Sequence, residues 1–157
     1  MKKLKIYVDT SVIGGCLDHE FKEWSNALLL DFTNSIFVPM VSVLTEAEIA
    51  DAPKKVKDVF ARFRNCAETV LPLSDEALEL ADHYVERGIV TPKYREDAQH
   101  IAIATVFAAD VLVSWNFKHI VHFDKIQRFN AVNIESGYKT VAIYSPREVT
   151  CYGIQNC

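Results

Sequence analysis

The chain has 157 residues, half of them apolar and about a quarter charged. That is the composition of one globular domain with a sizeable core. A net charge of −4 excludes a general nucleic-acid coat and leaves room for a local basic groove.

In chain order, Leu4-Lys5-Ile6-Tyr7-Val8 is an apolar, β-branched and aromatic run that reads as a buried strand. Asp9-Thr10-Ser11 and then Gly14-Gly15 read as the turn out of it. A helix is predicted from about Glu20 to Asn34, with Trp24, Leu28 and Phe32 spaced by four. Ile36-Phe37-Val38-Pro39 is a short second strand, and Ser42 can cap a helix to about Asp51. Pro53 starts another, with Val56, Val59, Phe60 and Phe63 on its apolar face. Val70-Leu71-Pro72-Leu73 is a third strand, short or at an edge because of its proline. Ser74, Asp75 and Glu76 suit the start of a helix to about Arg87.

Gly88 to Pro92 is a loop. The next helix runs from about Tyr94 to Ala108, with Ala98, Ile101, Ala102 and Thr105 spaced to pack on a sheet. Val111-Leu112-Val113-Ser114 reads as a strand buried on both faces. Residues 117–135 show short helices of mixed pattern, Thr140 to Tyr144 a last strand, and 145–149 a helical turn. Strands alternating with helices imply an α/β sandwich with a mostly parallel sheet and right-handed crossovers.

No apolar run nears the roughly 20 residues that cross a bilayer. Met1-Lys2-Lys3 passes straight into a strand with no h-region, so a cytoplasmic protein is expected. The four cysteines are scattered without zinc spacing and are expected as free thiols.

Ligand sites in an open parallel sheet lie beyond the carboxyl ends of its strands. Asp9 follows the first strand. Glu46 and Glu48 lie on the helix after the second. Asp97 is in the first turn of the helix leading to the fourth strand, and Asn116 follows that strand. No G-x-S-x-G, phosphate-cradling loop or G-x-G-x-x-G competes with them. Carboxylates gathered in one cleft repel unless a cation compensates, and their hard oxygens suit Mg²⁺ or Mn²⁺. Singly, Asp9 is as readily a turn residue, Glu48 a solvated one and Asp97 a first-turn acid. Glu46 and Glu48 are two residues apart on a helix, so only one of them can face the cleft.

Four stretches carry a resemblance: Asp9-Thr10-Ser11, Ser42-x-x-Thr45-x-Ala47-Glu48-Ile49, Glu96-Asp97-Ala98-x-His100-Ile101-Ala102-x-Ala104, and Val111 to Asn116. Their order and spacing resemble the motifs of the PIN domain family, VapC-like toxin ribonucleases in particular. The resemblance covers nearly the whole chain. It implies a three-layer α/β/α sandwich with a mostly parallel central sheet of four to five strands, with residues 1–150 as one domain and 151–157 as a C-terminal tail. It also implies a Mg²⁺- or Mn²⁺-dependent endoribonuclease that is the toxin of a toxin–antitoxin pair. Asp9, Glu48 and Asp97 match its acidic ligand positions, and the Ala-Glu-Ile context favours Glu48 over Glu46. Asn116 stands where many members carry a fourth acid, so this site has one charge fewer. Ser11 or Thr10 matches a hydroxyl that orients the site. The partners implied are an RNA substrate, a small antitoxin protein and a second copy in a homodimer.

Lys93, Arg95 and Lys118 flank the acidic positions and are by default solvated charges, with contact to RNA phosphates as the alternative; Trp115 can stack on a base at the cleft rim or equally complete the core. His100 is expected in a hydrogen-bonded structural role, and His119 and His122 at the surface or in packing. Two other functions compete. A phosphotransferase of haloacid-dehalogenase type also begins from a strand-end Asp, but it needs a second Asp where Ser11 stands. A PIN-like RNA-binding or interaction module with a weakened site at Asn116 needs no catalysis.

Overall fold

The computed structural model describes residues 2–154. β1 (Lys5–Val8) leads into α1 (Thr10–Gly15) and α2 (Lys22–Thr33). β2 (Val38–Ser42) is followed by α3 (Val43–Glu48) and α4 (Lys54–Cys66), and β3 (Val70–Leu71) by α5 (Asp75–Glu86). A 3₁₀ turn at Pro92–Tyr94 precedes α6 (Arg95–Val106). The chain then forms β4 (Val111–Val113), α7 (Phe123–Glu135), β5 (Ala142–Tyr144) and α8 (Pro146–Val149).

All strand pairs are parallel, in the order β3-β2-β1-β4-β5. A parallel sheet is buried on both faces, and the alternation of each strand distributes its side chains between them. Ile6, Val8, Val111 and Val113 join Leu28, Phe32, Phe60 and Phe63 on the α2–α4 side. Tyr7 and Leu112 join Leu80, Tyr84, Ile101 and Phe129 on the α5–α6–α7 side. The result is the three-layer sandwich expected.

Three departures from the sequence expectation have physical reasons. Pro39 lies inside β2, because β3 pairs only Val41 and Ser42 and leaves the Pro39 end of β2 unpaired on that side. α1 is unforeseen: Asp9 caps it, its Oδ1 accepting from Val12 N at 3.3 Å. Residues 123–135 form one helix, whose inward positions include the polar Asn133. The amide of Asn133 accepts from Tyr84 and donates to Thr105, which accounts for the mixed pattern.

Of the cysteines, Cys16 and Cys66 are free thiols as expected, whereas Cys151 is disulfide-bonded; Cys157 lies outside the described residues. Among the described residues no helix is long and apolar enough to cross a membrane.

Candidate functional site

From β1 the chain steps outward to β2 and β3, then returns across β1 to β4. The carboxyl ends of β1 and β4 therefore diverge at a topological switch point, where a crevice forms. Asp9 leaves β1 there, and Ser114 and Asn116 leave β4.

Asp9 is 3% exposed, and burial raises its carboxyl above the usual range. Two serines oppose that shift. Ser11 Oγ donates to Asp9 Oδ1 and Ser114 Oγ to Oδ2, each at 2.6 Å. Each serine also accepts a backbone N–H of the loop after β4: Trp115 N to Ser11 at 2.8 Å and Asn116 N to Ser114 at 2.9 Å. The pair locks that loop to Asp9. Ser114 carries half of this arrangement, although in the sequence it reads as one more strand residue.

Asp97 sits in the first turn of α6. Its carboxyl is pushed up to about 6, first by burial and also by the negative charges of Asp9 and Glu48. His100 and a hydrogen bond from Asn116 act the other way. Asn116 is thus a donor to Asp97, while its Oδ1 accepts from His119 N at 2.9 Å.

Glu48 ends α3 with its side chain two-thirds covered, and its Oε1 lies 2.6 Å from His100 Nε2. Glu46 is exposed and turns to a groove with Ile49, Lys57, Phe60 and Arg64, away from Asp9. His100 is 2% exposed. Its Nδ1 lies 2.7 Å from Tyr7 Oη, which lies 2.7 Å from Ser42 Oγ. A carboxylate only accepts, so Nε2 carries the proton toward Glu48. The assignment that satisfies every atom has Ser42 donating to Tyr7 and Tyr7 donating to Nδ1. Burial holds the Tyr7 phenol well above its ordinary pKa, so it stays neutral. Ser42 occupies the cap position of α3 but makes no capping bond, its hydroxyl being taken by Tyr7. Thr10 Oγ1 lies 3.3 Å from His100 Nε2 and donates to Thr45 Oγ1 at 3.2 Å.

The donor chemistry at Asp9 and Asp97 fits a hard divalent cation: carboxylate oxygens, buried at Asp9 and half-buried at Asp97, held by hydroxyl and amide donors. Among the described residues no three His, Cys, Asp or Glu side chains form a cluster spaced to hold a metal ion. Glu48 is engaged by His100, and both oxygens of Asp9 by serines.

The suggested RNA-facing residues divide. Lys93 and Lys118 reach the Tyr94 ring from two elements, at 5.6 and 5.9 Å from its centroid. Arg95 pairs instead with Asp82 at 3.8 Å. Trp115 is no rim residue. It is buried, stacked on Phe21 at 4.2 Å, and Nε1 donates to Ser25 Oγ at 2.8 Å. An indole finds this place because Gly15 leaves the room for it. His119 packs on Tyr94 at 3.9 Å between centroids, and His122 is exposed.

No family model and no curated protein matches this sequence. Solved structures do match. The chain is similar to VapBC2 from Rickettsia felis, crystallised with a DNA fragment from its promoter, with a TM-score of 0.58 and 16% identity over 90% of this chain and 98% of that one. It is also similar to FitAcB from Neisseria gonorrhoeae, with a TM-score of 0.58 and 18% identity over 92% and 99%. At this identity the likeness defines the fold, a PIN-like three-layer sandwich.

Proposed function

We propose that this protein is a PIN-like endoribonuclease dependent on Mg²⁺ or Mn²⁺ and the toxin of a toxin–antitoxin pair. The observation that carries the reading is the Asp97 carboxyl. It is pushed up to about 6 beside buried Asp9 at the switch point of a parallel sheet. A structural surface acid has no reason to sit where two neighbouring carboxylates disfavour its charge.

Asp9 and Asp97 supply the anionic oxygens that hold the ion. Ser11 and Ser114 fix the Asp9 oxygens, Asn116 orients Asp97, and His100 holds Glu48 at the same edge of the sheet. When bound there, Mg²⁺ or Mn²⁺ supplies an activated water and neutralises charge at a phosphodiester. Lys93 and Lys118 contribute positive charge beside the acidic centre. The partners are RNA, a small antitoxin protein and a second copy of the chain, and the compartment is the cytoplasm. The similarity to VapBC2 and FitAcB chains supports the toxin reading.

The test is cleavage of single-stranded RNA by purified protein, titrated with Mg²⁺ and Mn²⁺ against EDTA. Asp9→Asn and Asp97→Asn are expected to abolish metal-dependent cleavage and leave the fold intact. Full activity in both variants overturns the assignment. One observation favours a second reading, an RNA-binding module with a weakened site: no three-ligand cluster is assembled among the described residues. RNA binding without cleavage at any metal concentration would select it.

A further inference from the structure

The loop Asn116-Phe117-Lys118-His119 crosses directly beside Asp97, and its side chains alternate in a telling way. Asn116 hydrogen-bonds Asp97. Phe117 is 49% exposed, held edge-on against buried Trp115 at 6.2 Å. Lys118 reaches over the Tyr94 ring, and His119 stacks on the same ring. From the 3₁₀ turn before α6, Lys93 reaches that ring too. Neither lysine has an ion pair among the described residues. Both ring nitrogens of His119 are covered and lack a hydrogen-bond partner. Buried polar atoms without partners are rare in folded proteins.

An exposed aromatic face followed in the chain by a lysine, with a second lysine converging on the same Tyr94 ring, is an arrangement suited to a single strand: the ring stacks a base and the cations meet nearby phosphates. A duplex offers no free base face. We propose that Phe117, Lys118 and Lys93 form a subsite for single-stranded RNA, with a base stacked on Phe117 and its phosphates on the lysines. The Tyr94–His119 stack fixes the loop to the start of α6, so the subsite is registered against Asp97. The inference rests on the proposed RNA substrate and moves the stacking role from Trp115 to Phe117.

The test is fluorescence anisotropy of a 5′-fluorescein-labelled 12-mer of uridine with the full chain, in EDTA so that no cleavage intrudes. Phe117→Leu is expected to weaken binding about tenfold or more, and Phe117→Tyr to restore it. Lys93→Ala with Lys118→Ala is expected to lower the slope of log Kd against log salt by about 1.4, roughly 0.7 for each lost phosphate contact. Lys54→Ala with Lys55→Ala on α4 is the control and is expected to leave the slope unchanged. Phe117→Leu binding as wild type, or a slope insensitive to the lysine pair, overturns the subsite. Cleavage in Mg²⁺ or Mn²⁺ alongside that result leaves the nuclease reading standing. Absent cleavage with the expected binding losses supports the subsite and overturns the nuclease. A duplex bound as tightly as the single strand, with the same dependence on Phe117, also overturns the subsite.

Discussion

His100 Nε2 stands 2.6 Å from Glu48 Oε1, and this contact decides where Glu48 points. Glu48 is the last residue of a six-residue helix, where few backbone bonds constrain it. His100 is fixed on α6 by Tyr7, so β1, α3 and α6 meet through one imidazole. Removing either partner should therefore have the same consequence for the site. Glu48→Ala and His100→Ala are each expected to lower kcat about tenfold or more, and the double variant to lose little beyond one of them. A double-mutant cycle on cleavage rate measures this coupling. Independent, multiplying losses would show that His100 serves the core alone. His100→Ala also leaves the buried Tyr7 hydroxyl short of a partner and is expected to cost about 1–3 kcal/mol of stability.

Asp97 predicts a pH dependence whose sign is set by its raised carboxyl. The folded protein holds that proton up to about pH 6, while the unfolded chain releases it near the ordinary aspartate value of 3.8. Between those values the folded state binds more protons, so the contribution of Asp97 to stability falls as pH rises from about 4 to 6. Above pH 6 the full penalty is present. Allowing for the partial exposure of the group, it amounts to about 1–2 kcal/mol. Asp97→Asn is expected to stabilise the protein by about that much at pH 7.5 and negligibly at pH 4. Urea unfolding at the two pH values checks it.

Gly15 is required by packing. A methyl group there would lie 2.5 Å from Ser25 Oγ and 2.7 Å from Trp115 Nε1, the two atoms of one buried hydrogen bond. Overpacking of this kind costs about 1–3 kcal/mol. Trp115 N is also bound to Ser11, so displacing the indole disturbs the support of Asp9. Gly15→Ala is expected to lower both the unfolding midpoint in urea and the cleavage rate. An unchanged midpoint would contradict the packing argument.

Asp31 is fully buried on α2 and serves the chain end. Its carboxylate accepts from Thr150 Oγ1 at 2.7 Å, Cys151 N at 2.9 Å and Gly153 N at 2.7 Å. Asp31→Ala leaves these donors without an acceptor and is expected to cost about 2–4 kcal/mol, releasing residues 150–153 to proteolysis. Limited trypsin or chymotrypsin digestion followed by mass spectrometry detects that release.

The sequence announced the sandwich because β1 and β4 are near-continuous apolar runs and because the carboxylates fall at successive strand ends. It concealed what depends on non-local pairing. Pro39 reads as the end of a strand until the shortness of β3 is known. Ser114 looks like any strand residue until its hydroxyl meets Asp9, 105 positions away. Trp115 is buried and Phe117 left exposed for a similar reason. Alternation alone cannot tell which aromatic Gly15 admits to the core and which is left at the rim. Ser42 reads as a cap from its position, but its hydroxyl is engaged by Tyr7.

The arrangement at Asp9 and Asp97 makes a last prediction that does not depend on turnover. Both carboxyls are raised by burial, and Asp97 is raised further by its neighbours' charge. A divalent cation binding there relieves that cost, and it binds only the folded chain. At a hundredfold excess over its Kd such a ligand adds about 2.7 kcal/mol. For a chain of this size that corresponds to about 5–10 °C in Tm. Mn²⁺ is therefore expected to raise the melting temperature of the wild type by several degrees, with Asp9→Asn abolishing the effect. Glu48→Gln should retain most of it, because Glu48 is already engaged by His100. Differential scanning fluorimetry with Mn²⁺, Mg²⁺ and Na⁺ at matched ionic strength reads all three. An equal shift in wild type and Asp9→Asn would remove Asp9 from the ion site.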